Sequence, residues 1–311
     1  MKLFNRMITA SLEILPESLV KPLIYPLVAK NYVAGPTIDD AVRRTKAVNT
    51  RGAEATIDHL GEEARDKREV EENIRIYKNI IRAINSENLR AGIAIKPTNF
   101  GLRFDPNFSR EAMREVIAAA AEKKIFTWID MENSSTTSAT IDFYLEAQWE
   151  FGDLVGMALQ AYLRRSLSDI CYIRKNVHYG APHIRLCKGI YNEALAIAIK
   201  EMPLINQNYY MLLDSLFSVG SFVGIATHDS ARISEARQLI KKYEAQKRCE
   251  FQMLLGVEDP PLYNLIKNGN RGSVYIAFGV KWYGYSLRRF KENPRIVGYI
   301  LENMLKNRKQ K

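Results

Sequence analysis

The chain has 311 residues, of which 47% are hydrophobic and 26% are charged, so it can bury a sizeable core beneath an ordinary surface. Its net charge is +10, from 45 Lys and Arg against 35 Asp and Glu. The excess is spread thinly except over 241–248 and 306–311, and no aromatic stripe accompanies it, so no nucleic-acid partner is expected. An anionic small molecule or an anionic membrane surface fits this charge better.

Cysteine usage and hydropathy are typical of a protein of the reducing cytosol. The three cysteines, Cys171, Cys187 and Cys249, are far apart and lack CxxC spacing. Neither a disulfide framework nor a metal site is therefore expected. No apolar stretch reaches about 18 residues, so no transmembrane helix is predicted.

Residues 1–50 are predicted to form a helical extension ahead of the first strand. Apolar residues lie at helical spacing between Leu3 and Leu15. A helix that caps the fold is favoured over one that touches a membrane, because only Lys2 and Arg6 would meet lipid headgroups. Later in the extension, Thr37 can cap a helix over 37–49.

Eight short apolar runs follow, and most of them end in a charged or hydrogen-bonding residue. The runs are 53–60, 92–96, 126–130, 155–160, 183–188, 222–228, 251–257 and 274–279. Stretches of helical periodicity separate them, which predicts a (β/α)8 TIM barrel of the α/β class. The predicted helices are 62–84, 109–124, 138–150, 193–201, 211–219, 230–247, 263–268 and 282–292. No linker divides the chain, so 1–311 is read as one domain, with the barrel over 51–296 and a C-terminal helix and basic tail over 297–311.

Two carboxylates stand at the end of the third predicted strand. Asp130 and Glu132 are two residues apart, so both should point to one face of that strand. Side chains at the carboxyl ends of barrel strands converge on one site, where such a pair can do acid–base work or bind a metal. Pairing with Arg or Lys across the barrel is the structural alternative.

The next strand ends carry groups suited to a planar or anionic ligand. Gln160 offers a donor and an acceptor for the edge of a flavin or another heteroaromatic ring. Arg185 and Lys188 bring two cations to one strand end, where they can hold anionic groups or stabilise a reduced cofactor. Gly189 permits close approach of a phosphate or a ring.

The sequence ATHD at 226–229 is open to two interpretations. Thr227 and His228 could bind a nucleotide, or His228 could simply satisfy a loop carbonyl.

Near the end of the chain, WYGYSLRRFKE presents three charges on one helical face. Arg288 and Glu292 are four residues apart, and Arg289 and Glu292 are three apart. A surface ion pair is the ordinary interpretation. The functional one is a clamp for a free amino acid, in which two guanidinium groups hold the carboxylate and Glu292 faces the ammonium.

The motifs IDME, QAYLRR, IRLCKGIY, ATHD, EFQMLLGV, YIAFG and WYGYSLRRFKE occur in an order and spacing that resemble the proline dehydrogenase family, in its bacterial monofunctional branch. The resemblance runs over about residues 40–300, and its RLxKGxY and LRRxxE motifs are far more specific than a lone glycine loop. It implies a distorted (β/α)8 barrel that holds non-covalent FAD, oxidises L-proline to Δ1-pyrroline-5-carboxylate and passes electrons to a membrane quinone. A cytoplasmic enzyme, peripheral on the inner membrane, is expected.

The resemblance also implies roles for individual residues. The catalytic residues that it implies are Lys96, Asp130 and Arg185. The cofactor contacts that it implies are Met131, Gln160, Arg185, Lys188, Gly189, Ile190, Thr227 and His228. The substrate contacts that it implies are Lys96, Tyr275, Arg288, Arg289 and Glu292.

The reaction expected from these roles is hydride transfer from the Cδ–H bond of proline to flavin N5. The amine must be neutral for this step, so an alkaline pH optimum is expected. Three alternatives stay open at this point: a flavin-dependent hydroxyproline dehydrogenase, a barrel lyase or aldolase with a Schiff-base lysine at Lys96 or Lys188, and a non-enzymatic basic binding protein.

Overall fold

The computed structural model describes residues 32–61, 63–178 and 180–282. Within these ranges, eight parallel strands close into a barrel in chain order, and the last strand pairs with the first. The strands are β1 (Glu54–His59), β2 (Ala91–Ile95), β3 (Thr127–Ile129), β4 (Val155–Gln160), β5 (His183–Cys187), β6 (Phe222–Ala226), β7 (Cys249–Leu254) and β8 (Gly272–Phe278). Each overlaps one of the predicted apolar runs, which confirms the (β/α)8 barrel.

Helices connect successive strands, and one helix precedes the first strand. They are α1 (Ile38–Thr50), α2 (Lys67–Ser86), α3 (Pro106–Glu122), α4 (Thr137–Phe151), α5 (Ser166–Asn176), α6 (Met202–Ser218), α7 (Ser230–Lys242) and α8 (Pro261–Lys267). No helix in these ranges is long and apolar enough to cross a bilayer.

Local sequence explains where the helices begin. Thr37 and Asp40 form a capping box at the start of α1, in which each side chain accepts a hydrogen bond from the other residue's backbone N–H. Asp66 and Asp105 cap α2 and α3 in the same way, through one N–H each. These caps satisfy backbone donors that have no partner within the helix. They therefore fix the point at which each loop from the barrel mouth turns into a helix.

The main core lies between the strands and the surrounding helices. Outward-facing strand residues such as Ile57, Ile93 and Ile129 are buried there against helix residues such as Tyr77 and Ile117. The barrel interior is instead polar in several places. Because side chains alternate along a strand, every second residue points inward, and inward-pointing groups near the strand ends converge at the mouth.

One predicted helix is absent from the structure, and one helix of the structure was not predicted. The segment 193–201, predicted as a helix, has no helix in the structure and lies against 162–164. Arg164 N–H donates to the Ile197 carbonyl at 3.0 Å, and Ile199 N–H donates to the Tyr162 carbonyl at 2.8 Å. These hydrogen bonds satisfy the backbone outside any helix. Conversely, α5 was not predicted, because its short buried face consists mainly of Ile170 and Ile173.

Helix ends were predicted less well than helix positions. The helix predicted over 211–219 begins earlier, at Met202, where Pro203 occupies the first turn. The helix predicted over 230–247 ends at Lys242. The predicted extension before residue 32, the helix at 282–292 beyond Trp282, and the C-terminal helix and tail over 297–311 lie outside the described residues. The single-domain assignment of 1–311 stays a prediction.

Candidate active site

Asp130 is the hub of a charged cluster at the mouth of the barrel. One carboxylate oxygen accepts a hydrogen bond from Arg185 Nη1 at 2.5 Å. The other accepts from the Tyr275 hydroxyl at 2.7 Å and lies 3.6 Å from Lys96 Nζ. Two cations and a phenol from three other strands or strand ends therefore meet at one carboxylate, which is the arrangement that barrel geometry favours at this end.

Lys96 has a second and closer partner in Asp58, which is fully buried near the end of β1. The distance from Lys96 Nζ to Asp58 Oδ1 is 2.5 Å, and the distance to the Tyr275 hydroxyl is 3.3 Å. Burial lowers the pKa of Lys96, but the carboxylates of Asp58 and Asp130 outweigh it and raise the pKa above its ordinary value. Lys96 is therefore held as a cation.

Tyr275 completes this side of the mouth. Burial and the nearby carboxylates of Asp130 and Asp58 raise its pKa well above the ordinary value, so the side chain remains a neutral phenol. Its hydroxyl donates to Asp130 and accepts from Lys96, which leaves it with a fixed orientation.

Glu132 is not paired with Asp130 in the way that the sequence predicts. Strand β3 ends at Ile129, so both carboxylates lie in the loop that follows, and the alternation rule does not apply. The Glu132 carboxylate accepts hydrogen bonds from the backbone N–H and the hydroxyl of Thr98, at 2.8 and 2.6 Å. Glu132 thus ties two mouth loops together, while Asp130 alone of the two accepts from Arg185 and Tyr275. In the described ranges, no group of three or more His, Cys, Asp or Glu residues is placed to hold a metal ion.

Arg185 is 5% exposed and enters the site from β5. Its Nη1 donates to Asp130, and its Nε donates to Gln252 Oε1 at 2.6 Å. The guanidinium carbon lies 4.6 Å from the centre of the Trp128 ring and 5.3 Å from that of Tyr275. Its remaining nitrogen, Nη2, is buried and has no hydrogen-bond partner in the structure. A buried cationic donor without a partner in the protein requires one from a bound molecule, such as a ligand or water.

Gln160 offers a second buried polar atom without a partner. Its Nε2 lies 3.4 Å from the Met131 carbonyl, a long hydrogen bond, and its Oε1 has no partner. The backbone carbonyl of Gln160 accepts from the Ser166 hydroxyl at 2.6 Å, which anchors the end of β4. The free oxygen of Gln160 and the free nitrogen of Arg185 are the acceptor and donor that the edge of a flavin requires, so these residues fit that cofactor.

The loop after β5 carries three of the predicted cofactor contacts. Lys188 Nζ donates to Asp229 at 2.8 Å. Gly189 has φ of +100°, and an added Cβ would overlap the ring of Tyr162. The close approach that the sequence indicates at Gly189 is therefore made, within the described structure, by a tyrosine. Ile190 is 45% exposed, which is unusual for so large an apolar side chain.

Thr227 and His228 follow β6, and each accepts a hydrogen bond from a backbone N–H. The Thr227 hydroxyl accepts from the Asp229 backbone N–H at 3.2 Å. Nε2 of His228 accepts from the Leu254 backbone N–H at 2.9 Å. The imidazole therefore acts as an acceptor at Nε2.

The structure thus brings four predicted residues into direct contact or near it: Lys96, Asp130, Arg185 and Tyr275. Sequence reasoning missed Asp58 and Gln252, which hold Lys96 and Arg185. Their signal was available, since each is a polar residue within one of the predicted strand runs, 53–60 and 251–257. The predicted substrate contacts Arg288, Arg289 and Glu292 lie outside the described residues.

Comparisons with known proteins agree with this architecture. The proline dehydrogenase family profile matches residues 41–299. Proline dehydrogenase 1 of Bacillus subtilis strain 168 is 32% identical over 279 residues, which cover 89% of this chain and 91% of that protein. A proline dehydrogenase of Deinococcus radiodurans is 30% identical over 283 residues, with coverage of 89% and 90%.

Among solved structures, proline utilization A of Bdellovibrio bacteriovorus superposes with a TM-score of 0.82 at 20% identity. The match covers 89% of this chain and 33% of that one, so the chain spans about a third of the length of that protein. This likeness supports the barrel fold alone. The family match covers most of the sequence, and the chain therefore belongs to the proline dehydrogenase family of oxidoreductases.

Proposed function

We propose that the protein is an FAD-dependent proline dehydrogenase that oxidises L-proline to Δ1-pyrroline-5-carboxylate and passes the electrons to a quinone. This is the first step of proline catabolism to glutamate. The observation that carries the proposal is the buried guanidinium of Arg185, which keeps one unpartnered donor at the mouth beside Asp130 and Tyr275. Family membership and the names of the relatives support it.

The cofactor contacts proposed for this chain surround Arg185 and the loops after β3, β4, β5 and β6. They are Met131, Gln160, Arg185, Lys188, Gly189, Ile190, Thr227 and His228. Bound FAD would supply the hydride acceptor at N5. The free Nη2 of Arg185 would stabilise the negative charge that reduction places on the ring, and the free Oε1 of Gln160 would accept from a ring N–H.

For the substrate, we propose that Arg288 and Arg289 hold the carboxylate and that Glu292 lies near the amine, as the family resemblance implies. Lys96 and Tyr275 would line the remaining wall, with the Tyr275 ring against the pyrrolidine. Lys96 is held as a cation by Asp58 and Asp130, so it disfavours a protonated amine beside it and cannot itself accept the amine proton. The positive charge of Lys96 favours neutral proline in the site. The alkaline pH optimum is still expected, because free proline must lose its amine proton before hydride transfer.

The Schiff-base alternative is disfavoured by the charges of the two candidate lysines. A lysine must be neutral to attack a carbonyl. Lys96 has a raised pKa, and Lys188 is paired with Asp229 at 2.8 Å. Hydroxyproline is also a weaker candidate than proline, because the Tyr275 hydroxyl already donates to Asp130 and accepts from Lys96. It therefore has little capacity left for a substrate hydroxyl.

A spectroscopic experiment tests the proposal. The purified protein should be yellow, and anaerobic L-proline should bleach the flavin band. Asp130→Asn should slow bleaching on the order of a hundredfold, because it removes the negative charge and one of the two oxygens that accept from Arg185 and Tyr275. Asp142→Asn, on the exposed face of α4, is the matched control and should bleach like the wild type. A colourless protein that takes up no FAD, or a yellow one that proline does not bleach, contradicts the proposal.

The quinone and the membrane are proposed partners with a separate test. Several large apolar side chains are exposed between the mouth and the first turn of α6, a feature that often marks an interaction surface. They are Ile190, Leu195, Ile197, Met202 and Leu204. A soluble ubiquinone analogue should reoxidise the proline-reduced protein, and anionic vesicles should retain the wild type. Replacing Leu195 and Ile197 by Ser should reduce retention, whereas Trp149→Ser on α4 should not. Equal retention of all three proteins contradicts membrane contact at this surface.

A further inference from the structure

Beneath Arg185, the barrel interior contains two further polar residues that the proposed reaction does not use. Gln252 and Glu250 lie two residues apart on β7 and are each 6% exposed. Gln252 Oε1 accepts from Arg185 Nε at 2.6 Å, and Gln252 Nε2 donates to Glu250 Oε1 at 2.6 Å. The second Glu250 oxygen lies 4.0 Å from Arg271 Nη2. A continuous chain of polar contacts therefore runs from the mouth down the inside of the barrel.

The chemistry of the three groups fixes the direction of this chain. A guanidinium has donors only, so the side-chain amide of Gln252 must present its oxygen to Arg185. The amide nitrogen then points away and, being buried, requires an acceptor, which Glu250 provides. With Glu250 in place the amide has one favourable orientation. Without it, the amide could turn and set its NH2 group against the guanidinium.

The side-chain amide of Gln252 fits inside the barrel because the residue facing it is a glycine. Gly224 on β6 faces the amide, and a Cβ there would lie 2.7 Å from Gln252 Nε2. Arg185 thus donates one N–H to Gln252 and one to Asp130. Its Nη2 has no hydrogen-bond partner in the protein. Burial raises the pKa of Glu250, and the hydrogen bond from Gln252 opposes that shift.

We propose that Gln252 is a positioning residue for Arg185, with Glu250 fixing its amide, and that this pair sets how strongly Arg185 stabilises negative charge on bound flavin. The inference rests on the proposed function, because it assumes that flavin occupies the mouth. It assigns a role to two residues outside the proposed substrate and cofactor contacts.

Inorganic sulfite provides a readout that is independent of proline turnover. Sulfite adds to N5 of oxidised flavin and leaves a negative charge on the ring, so its affinity reports positive charge held near the flavin. Gln252→Leu in the FAD-loaded protein should bind sulfite about tenfold more weakly, since an unoriented guanidinium loses a charge-assisted hydrogen bond. Thr56→Val is the matched control, because Thr56 is buried inside the same barrel and its side chain contacts Ser273 at 3.5 Å instead of Arg185. Its sulfite affinity should equal that of the wild type.

A double variant tests orientation directly. Gln252→Glu combined with Glu250→Gln exchanges the amide and the carboxylate, so that residue 252 again accepts from Arg185 and residue 250 donates to it. This variant should bind sulfite more tightly than Gln252→Leu, because residue 252 again orients the guanidinium, but less tightly than the wild type, because its carboxylate offsets part of the charge of Arg185.

The outcomes separate the two proposals. If the wild type binds no flavin, the proposed function fails. If the wild type is yellow and bleached by proline, but Gln252→Leu binds sulfite as Thr56→Val does, the inference on Gln252 is overturned. Should Gln252→Leu lose its flavin, the double variant decides. Recovery of flavin and of sulfite affinity supports the inference, and a double variant that also lacks flavin overturns it.

Discussion

The charge of Lys96 depends mainly on one buried carboxylate, that of Asp58. Its oxygen lies 2.5 Å from the ammonium, whereas the nearest Asp130 oxygen lies 3.6 Å away. Both carboxylates raise the pKa of Lys96 against the effect of burial. Asp58 has no exposed surface, so water cannot replace it if its charge is removed. Its loss should therefore change both the charge and the position of Lys96.

Asp58→Asn should lower the pKa of Lys96, because it removes the nearest negative charge. It should also reduce kcat/KM for proline on the order of a hundredfold, because a displaced Lys96 would compete with Tyr275 and Arg185 for Asp130. The titration of Lys96 can be followed by NMR in protein carrying 13C-labelled lysine, with Lys96→Arg to assign the signal. The raised pKa keeps Lys96 protonated well into the alkaline range. In the variant its signal should titrate at lower pH than in the wild type.

The control for this measurement is Asp39→Asn, which removes a carboxylate from the first turn of α1, outside the barrel. It should leave the Lys96 signal unchanged. An unchanged titration of Lys96 in Asp58→Asn would contradict the argument that Asp58 sets the charge of Lys96.

Arg288 is the residue on which the proposed recognition of the substrate carboxylate most depends. Arg288→Ala should raise KM for proline on the order of a hundredfold, since removing one partner of a charged hydrogen-bonded pair costs about 2–3 kcal/mol. The flavin should remain bound, and its absorbance gives the check. Arg237→Ala, on the exposed face of α7, removes a cation elsewhere and should leave KM unchanged. An unchanged KM in Arg288→Ala would remove the clamp from the proposal.

At the scale of elements, the loop between β5 and α6 is the part of the mouth whose shape depends most on one glycine. Gly189 adopts φ of +100°, and the ring of Tyr162 fills the space that a Cβ would need. Glu193 further along the loop accepts hydrogen bonds from the backbone N–H and hydroxyl of Ser134, at 2.7 and 2.6 Å. The loop is thus attached both to the end of β4 and to the loop after β3.

Gly189→Ala should destabilise the protein by more than about 2 kcal/mol, because the backbone strain of a positive φ adds to the overlap with Tyr162. Gly269→Ala is the matched control, since Gly269 has φ of +81° and no atom within 4 Å of an added Cβ. It should lose only about 1 kcal/mol. Urea unfolding of both variants measures the difference. Adding Tyr162→Leu should recover part of the loss, and equal losses in the two alanine variants would contradict the overlap.

The element pattern was largely readable from the sequence. All eight strands coincide with apolar runs, because strands enclosed by helices are apolar over short, regularly spaced stretches. The two failures among the helices have separate causes. The segment 193–201 has helix-forming residues, but its backbone hydrogen bonds go to 162–164. Helix α5 has too few apolar residues for a clear period. Long-range pairing of this kind leaves no signal within the segment itself.

The site was readable only in part. Lys96, Asp130, Arg185 and Tyr275 stand at or near strand ends, and topology alone brings such positions together. Which group contacts which depends on the register of the strands and on depth within the barrel, and neither is encoded locally. Asp58 and Gln252 were therefore missed, although each is a polar residue within a predicted strand run. The pairing of Asp130 with Glu132 failed because β3 ends one residue before Asp130.

For the whole molecule, the seam between β1 and β8 is where the barrel closes, and a half-buried histidine lies at its mouth end. His59 pairs in register with Phe278, and the Leu60 N–H donates to the Phe278 carbonyl at 2.7 Å. The imidazole lies among aromatic rings, 5.4 Å from Phe278 and 6.5 Å from Tyr77 between ring centres. Burial, together with the positive charges of Lys96 and Lys281, lowers the pKa of His59 to about 4. The closed barrel thus contains a neutral base that acid must charge.

This pKa makes the stability of the fold depend on pH in a definite direction. Between its ordinary pKa near 6.5 and the folded value of about 4, His59 binds a proton in the unfolded chain but not in the folded one. Stability should therefore fall as the pH drops through this window, by up to about 3 kcal/mol from this residue. His59→Phe keeps an aromatic ring at the seam and removes the titration, so its unfolding free energy should decline less steeply from pH 6.5 to pH 4. Urea unfolding at half-unit intervals measures both slopes. The control is His178→Phe, at an exposed site beside Trp149, which should follow the wild-type curve. Parallel curves for His59→Phe and the wild type would contradict a neutral His59 at the seam.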